Sequence, residues 1–151
     1  SQVTIENALS EILREDRMST DCNYGFGCEV ATRFEETIEQ VEQRLQEKGF
    51  QIYTRLNLHE IVGRSDHDKF GRYIIIGACN PEFAQQLFNA DPNIGLLMPC
   101  NIIIYELHSG GCKIMIKDPA RIMDMISSPV AIETSINVKC LMEEIIEELR
   151  K

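Results

Sequence analysis

Apolar positions recur along this chain in two periods, and the points where the period changes predict its elements. Ile5, Leu9, Ile12 and Leu13 follow the spacing of an amphipathic helix over 4–15. Polar residues and glycines over 16–27 read as a connector. Alternation over 28–34 then predicts a half-buried strand. Thr37-Ile38-Glu39-Gln40 has the form of a capping box, in which the hydroxyl and the Gln side chain satisfy free amides at a helix start. Ile38, Val41 and Leu45 carry the apolar face of that helix, and Gly49 closes it. A second strand follows over 50–56, and Asn57 is placed to cap a short helical turn through His59, Glu60 and Ile61.

The second half is bounded more sharply. A charged loop over 64–71 leads into a strand over 72–78. Pro81 opens a helix over 81–89, where its missing amide costs nothing. Asp91-Pro92-Asn93 is a turn. Strands over 101–107 and 111–117 flank the hairpin signal Ser109-Gly110-Gly111. Asp118 caps a short helix over 119–126 with Pro119 at its first position, and a long helix over 131–151 carries Ile132, Ile136, Leu141, Ile145 and Leu149 near its apolar face. This order is not the regular alternation of a doubly wound fold. It predicts an α+β domain, one mainly antiparallel sheet with helices on one face, plus an extra N-terminal helix. At 151 residues the division is an N-terminal helix and connector over 1–26 and a single domain over 27–151.

Charge narrows the partners. The net charge is −9, with 15 basic residues scattered among 24 acidic ones. Nucleic-acid backbones and anionic membrane surfaces call for clustered Lys and Arg, so neither is expected as a partner. No apolar run reaches the roughly 18–20 residues of a membrane span. The start, Ser1-Gln2-Val3-Thr4, lacks the basic-then-apolar form of a signal peptide, although a missing Met leaves room for a removed leader. Six cysteines in a chain with an ordinary core point to reduced thiols and a cytoplasmic setting.

Two of those cysteines hold the best candidate site. Cys79 follows the apolar run Tyr73-Ile74-Ile75-Ile76-Gly77-Ala78 and precedes Asn80-Pro81. Cys100 follows Met98-Pro99 and precedes Asn101-Ile102-Ile103-Ile104. If those strands pair antiparallel, both thiols fall at one edge of the sheet. A helix starting at Pro81 would favour a Cys79 thiolate, because helix N-termini carry partial positive charge. Buried cysteine as a small hydrophobe is the plainer reading. Asn80 and Asn101 can fix the adjoining turns through backbone bonds, and Pro81 and Pro99 stiffen them.

Other constellations are weaker. Cys22 and Cys28 are spaced Cys-x5-Cys, which is not a usual zinc spacing, and they read as unrelated thiols or a disulfide pair. Ser65-Asp66-His67-Asp68 reads as a solvated loop before it reads as a metal site. Cys112 and Cys140 read as packing residues, His108 as an exposed hairpin residue, and Glu143, Glu144, Glu147 and Glu148 as a solvated helix face. No Walker loop, Rossmann fingerprint, nucleophile elbow or zincin helix is present, so no common enzyme class is indicated and no cofactor is assigned.

The blocks Gly77-Ala78-Cys79-Asn80-Pro81, Asp91-Pro92, Ile94-Gly95-Leu96-Leu97-Met98-Pro99-Cys100-Asn101 and Asp118-Pro119 together resemble the domain of unknown function 302 family. Phe34-Glu35-Glu36-Thr37 and Lys48-Gly49-Phe50 fit its opening, and the resemblance covers roughly residues 27–151. It implies a β-α-β-β-β-β-α domain of the TATA-binding-protein-like type and a homodimer, without implying DNA binding. The reading that follows is a dimeric module that binds a small molecule or a partner protein in a pocket near Cys79 and Cys100. Asn80, Pro81, Pro99 and Asn101 would shape its rim, with His59 as a further ligand-binding candidate. The alternatives are thiol redox or sulfur relay through Cys79 or Cys100, and a soft-metal or haem-associated site using Cys and His59.

Overall fold

Five strands make one antiparallel sheet in the order β1-β5-β4-β3-β2 in a computed structural model that describes residues 22–63 and 71–151. The strands are β1 (Gly25–Val30), β2 (Gln51–Asn57), β3 (Tyr73–Cys79), β4 (Cys100–Glu106) and β5 (Cys112–Lys117). The helices are α1 (Phe34–Glu47), α2 (Leu58–Val62), α3 (Pro81–Ala90) and α4 (Pro129–Leu149), with 3-10 turns at Pro92–Leu97 and Pro119–Asp124. This is the expected α+β architecture with helices on one side of the sheet. The extra N-terminal helix over 4–15 and the Ser65-Asp66-His67-Asp68 loop lie outside the described residues.

Strand alternation explains why one face is covered. Ile76, Ile102, Ile104, Ile114 and Ile116 are buried and pack with Val41 and Leu45 of α1 and Met142, Ile145 and Ile146 of α4. Each such side chain contributes about 1.5–3 kcal/mol by leaving water. Successive residues point to opposite faces, so Tyr73, Ile103, Tyr105, Met115 and Lys117 fall on the face without helices. The β4–β5 hairpin closes through Gly110 and Gly111, whose φ values of 91° and 76° suit glycine.

Several boundaries differ from the sequence pattern. The first strand is Gly25–Val30, not 28–34, because its pairing with β5 runs from Gly25↔Lys117 to Val30↔Cys112. Phe34 is already the first residue of α1, and its burial mimicked a further strand alternation. The capping box is not used. Thr37 lies inside the first turn, and its Oγ1 donates to the Arg33 carbonyl at 2.7 Å. Asn57 precedes α2 without a side-chain cap bond. Cys140 is exposed, not packed. The acidic face of α4 is partly paired, since Lys48 bridges Glu144 and Glu148, each at 3.1 Å.

A candidate small-molecule cavity

The site is built where β3 ends and β4 begins. Antiparallel register pairs Ala78 with Cys100, so Cys79 lies one position further along at the sheet edge. Asn80 then starts α3: its Oδ1 accepts from Glu82 N–H at 3.0 Å and Phe83 N–H at 3.4 Å. Pro81 follows at the first helical position. The chain returns through the 3-10 turn, which Asp91 caps by accepting from Asn93 N–H at 2.9 Å. A cis Met98–Pro99 bond leads into β4. Lys117, at the end of β5, fastens this return loop by donating to the carbonyls of Leu97 at 2.7 Å and Pro99 at 3.1 Å.

These elements leave a cavity of about 50 Å³ between the sheet end, α3 and α4. Phe50 and Ala78 form its sheet side, Phe83 and Leu87 its α3 side, and Ser135 and Val138 its α4 side. Cys79, Asn80, Met98, Cys100 and Lys117 border it. The helical spacings, 83 to 87 and 135 to 138, put each pair on one helix face. The walls are almost wholly apolar. Among the described residues, Ser135 Oγ is the buried side-chain oxygen or nitrogen with no hydrogen-bond partner. Leaving such a hydroxyl unpaired costs about 1–3 kcal/mol.

The thiols at the border are held neutral. Burial pushes the Cys100 thiol up to about 12, against the opposing pull of Lys117. Burial also raises Cys79, partly offset by a backbone hydrogen bond from Cys100 and by Lys117. The helix start therefore does not yield the thiolate-favouring environment expected for Cys79. Desolvation outweighs it, and the α3 amides nearest that start are already taken by Asn80. Both cysteines are free, as are Cys22 and Cys28.

The remaining sequence candidates separate. Cys79, Asn80 and Cys100 meet at the cavity, whereas Pro81 is exposed outside it. Pro99 packs toward Gly77, where an added Cβ would meet its ring 2.7 Å away. Asn101 faces a groove of about 480 Å³ on the open side of the sheet, with Tyr24, Tyr73, Ile103, Tyr105 and Met115. His59 sits at the opposite end of β3, where its Nδ1 accepts from Tyr73 N–H at 2.9 Å. Seven residues of strand separate it from Cys79, roughly 20 Å. Among the described residues no three His, Cys, Asp or Glu side chains gather to hold a metal. Sequence reasoning missed Ser135, Leu87 and Phe50. Ser135 had one signal, a small polar residue on the apolar side of a long helix.

The family is decided by a match over residues 26–149 to the domain of unknown function DUF302. The chain belongs to the DUF302 family. Its fold is similar to the crystal structure of an uncharacterized conserved DUF302 protein from Bacillus stearothermophilus, with a TM-score of 0.75 at 23% identity. That likeness covers 85% of this chain and 99% of the other, and at this identity it speaks to the fold alone. No curated protein matches the chain. Among the described residues no helix is long and apolar enough to cross a membrane.

Proposed function

We propose that this DUF302 protein is a binding module, with its ligand site in the cavity beside Cys79 and Cys100. The observation that carries the reading is the cavity itself: an apolar space walled by the sheet end, α3 and α4, at the place where Cys79, Asn80 and Cys100 converge. Binding there needs no thiolate, which agrees with the raised Cys79 and Cys100 thiols and weighs against redox exchange or sulfur relay as the main role. The homodimer belongs to the same proposal. The apolar side chains Tyr24 and Leu56 stay exposed, and sedimentation equilibrium reads the mass directly.

The test is a titration of isotope-labelled protein with small uncharged fragments, read by amide chemical shifts. Saturable shifts at Ala78, Leu87 and Val138 are expected. Ala84 also lines the cavity on α3, and Ala84→Leu, which fills the space from there, should abolish them while the rest of the spectrum persists. Fragments that shift other regions only, or a filled variant that binds as well as the parent, would overturn the assignment.

A further inference from the structure

The face of the sheet that no described helix covers lacks the polar surface such a position calls for. An antiparallel sheet with one face in water sets apolar residues inward and polar ones outward. Here the outward positions include Tyr73, Ile103, Tyr105 and Met115, with Lys113 and Lys117 toward the two ends of β5. On β1 the residues paired with Lys117 and Met115 are Gly25 and Gly27, so no side chain rises beside them, and a groove of about 480 Å³ runs there. Met115 is nevertheless only 9% exposed and Lys113 7%. Burial that deep on an apolar sheet face calls for a second layer.

We infer that this face is the docking surface for the chain's own N-terminal segment, residues 1–21, laid along β4 and β5 as an amphipathic helix over 4–15. The point of entry agrees: the segment joins the described residues at Cys22, which itself lines the groove beside Tyr24 and Gly25. Length agrees, because a helix over 4–15 is about 18 Å long and the six residues of β5 span about 20 Å. Polarity agrees, because Ile5, Leu9, Ile12 and Leu13 make one stripe to set against Ile103, Tyr105 and Met115. Charge agrees as well. Glu6 borders that stripe near one end and Asp16 follows it at the other, about 15 Å apart at helical rise. Lys113 and Lys117 lie about 13 Å apart on one strand face. β1 starts opposite Lys117, so the chain direction brings Asp16 toward Lys117 and Glu6 toward Lys113. Lys117 gives its ammonium to two carbonyls and, among the described residues, to no carboxylate, while Lys113 has Glu29 at 4.0 Å. The DUF302 match starts at residue 26, which makes this cover an addition to the family domain.

Nuclear Overhauser contacts in the methyl-labelled 151-residue chain test this, with Leu9→Asp as the variant. Contacts are expected from the Leu9 and Ile12 methyls to the Tyr105 ring and the Met115 methyl, within one chain. Leu9→Asp should remove them, move the Ile103, Tyr105 and Met115 resonances, raise binding of a hydrophobic dye and lower the melting point by about 5 °C. Ala78, Leu87 and Val138 should keep their shifts, which shows that the variant folds and separates this face from the cavity. The wild-type contacts decide the matter if the variant fails to fold. Absence of any contact between the segment and the sheet would overturn the inference. So would contacts seen only between differently labelled copies in a mixed sample, which would make the occupant a second copy. A folded variant that melts like the parent, with the open-face resonances in place, would overturn it too. None of these results bears on the cavity.

Discussion

The two ends of β3 solve the same problem in opposite ways. At its start, the Arg72 guanidinium bonds Glu106 at 3.1 and 3.2 Å, pairs with Glu35, and lies 4.8 Å over the Phe34 ring. His59 meets the same ring edge-on at 6.3 Å, and Tyr73 stacks on Tyr105 at 5.3 Å. That end is polar and closed, because its charges answer one another. At the other end of the strand the walls are apolar, space remains, and the Ser135 hydroxyl has no partner among the described residues. The closed end has the chemistry of a clamp, in which Arg72 ties β4 to α1 through Glu106 and Glu35. The open end is where a further group can still lower the free energy. Residue types alone would have suggested the reverse, since histidine, arginine and glutamate cluster at the clamp.

The largest effect should come from widening the open end. Leu87 is buried in the α3 wall, and Leu87→Ala should cost about 2–5 kcal/mol in urea unfolding, the lower half applying if the neighbours relax into the existing space. The same variant should admit a bulkier apolar probe such as benzene. A loss well under 1 kcal/mol would mean the wall is already mobile and would weaken the contrast between the ends.

Much of this architecture was legible in the chain, and the failures have physical causes. Isoleucine runs bounded by Gly, Asn and Pro located β3 and β4, because a buried strand must be apolar and its ends must turn. Pro81 and Asp118-Pro119 were read correctly as helix starts, and Asp118 Oδ1 does accept from Ala120 N–H at 2.9 Å. The Thr37 box failed because a hydroxyl that can cap a free amide can equally bond a carbonyl four residues back, and burial chose the second. At the site, adjacency in sequence suggested a rim of Asn80, Pro81, Pro99 and Asn101. The structure divides that set: Asn80 borders the cavity, and strand alternation sends Asn101, unlike its neighbour Cys100, to the open face. Ser135 comes from a helix 35 residues beyond Cys100, and local pattern holds no information on such a long-range contact.

Breaking the clamp should do less than widening the cavity. Arg72→Ala removes charge-assisted hydrogen bonds to Glu106, but the side chain is 35% exposed, so solvent screens much of their worth. A loss of about 1–2 kcal/mol is expected after that discount. Fragment affinity in the cavity at the far end of β3 should not change. A matching drop in affinity would show that the two ends are coupled and that the clamp sets the cavity's shape.

The smallest effect at neutral pH, and the sharpest in alkali, concerns Cys100. Its thiol is raised from an ordinary 9.0 to about 12. The unfolded chain therefore releases this proton near pH 9, while the folded chain keeps it until about 12. The unfolded state then binds fewer protons across that window, so stability falls as pH rises through it and is fully present below pH 9. Cys28, raised to about 11 by burial in the core, adds a loss of the same sign that ends earlier. Tyr73 is also raised by burial, so the parent curve is a sum. The informative quantity is the difference between wild type and Cys100→Ala. The two should track each other up to pH 9, after subtraction of a constant packing term. Above it the variant should lose stability less steeply, with the gap still growing past pH 11, where the Cys28 contribution has levelled off. Denaturant melts from pH 7 to 12 measure this. Parallel curves throughout would mean that water reaches the thiol of this half-buried cysteine in the folded protein, and the neutral border assigned to the cavity would have to be abandoned.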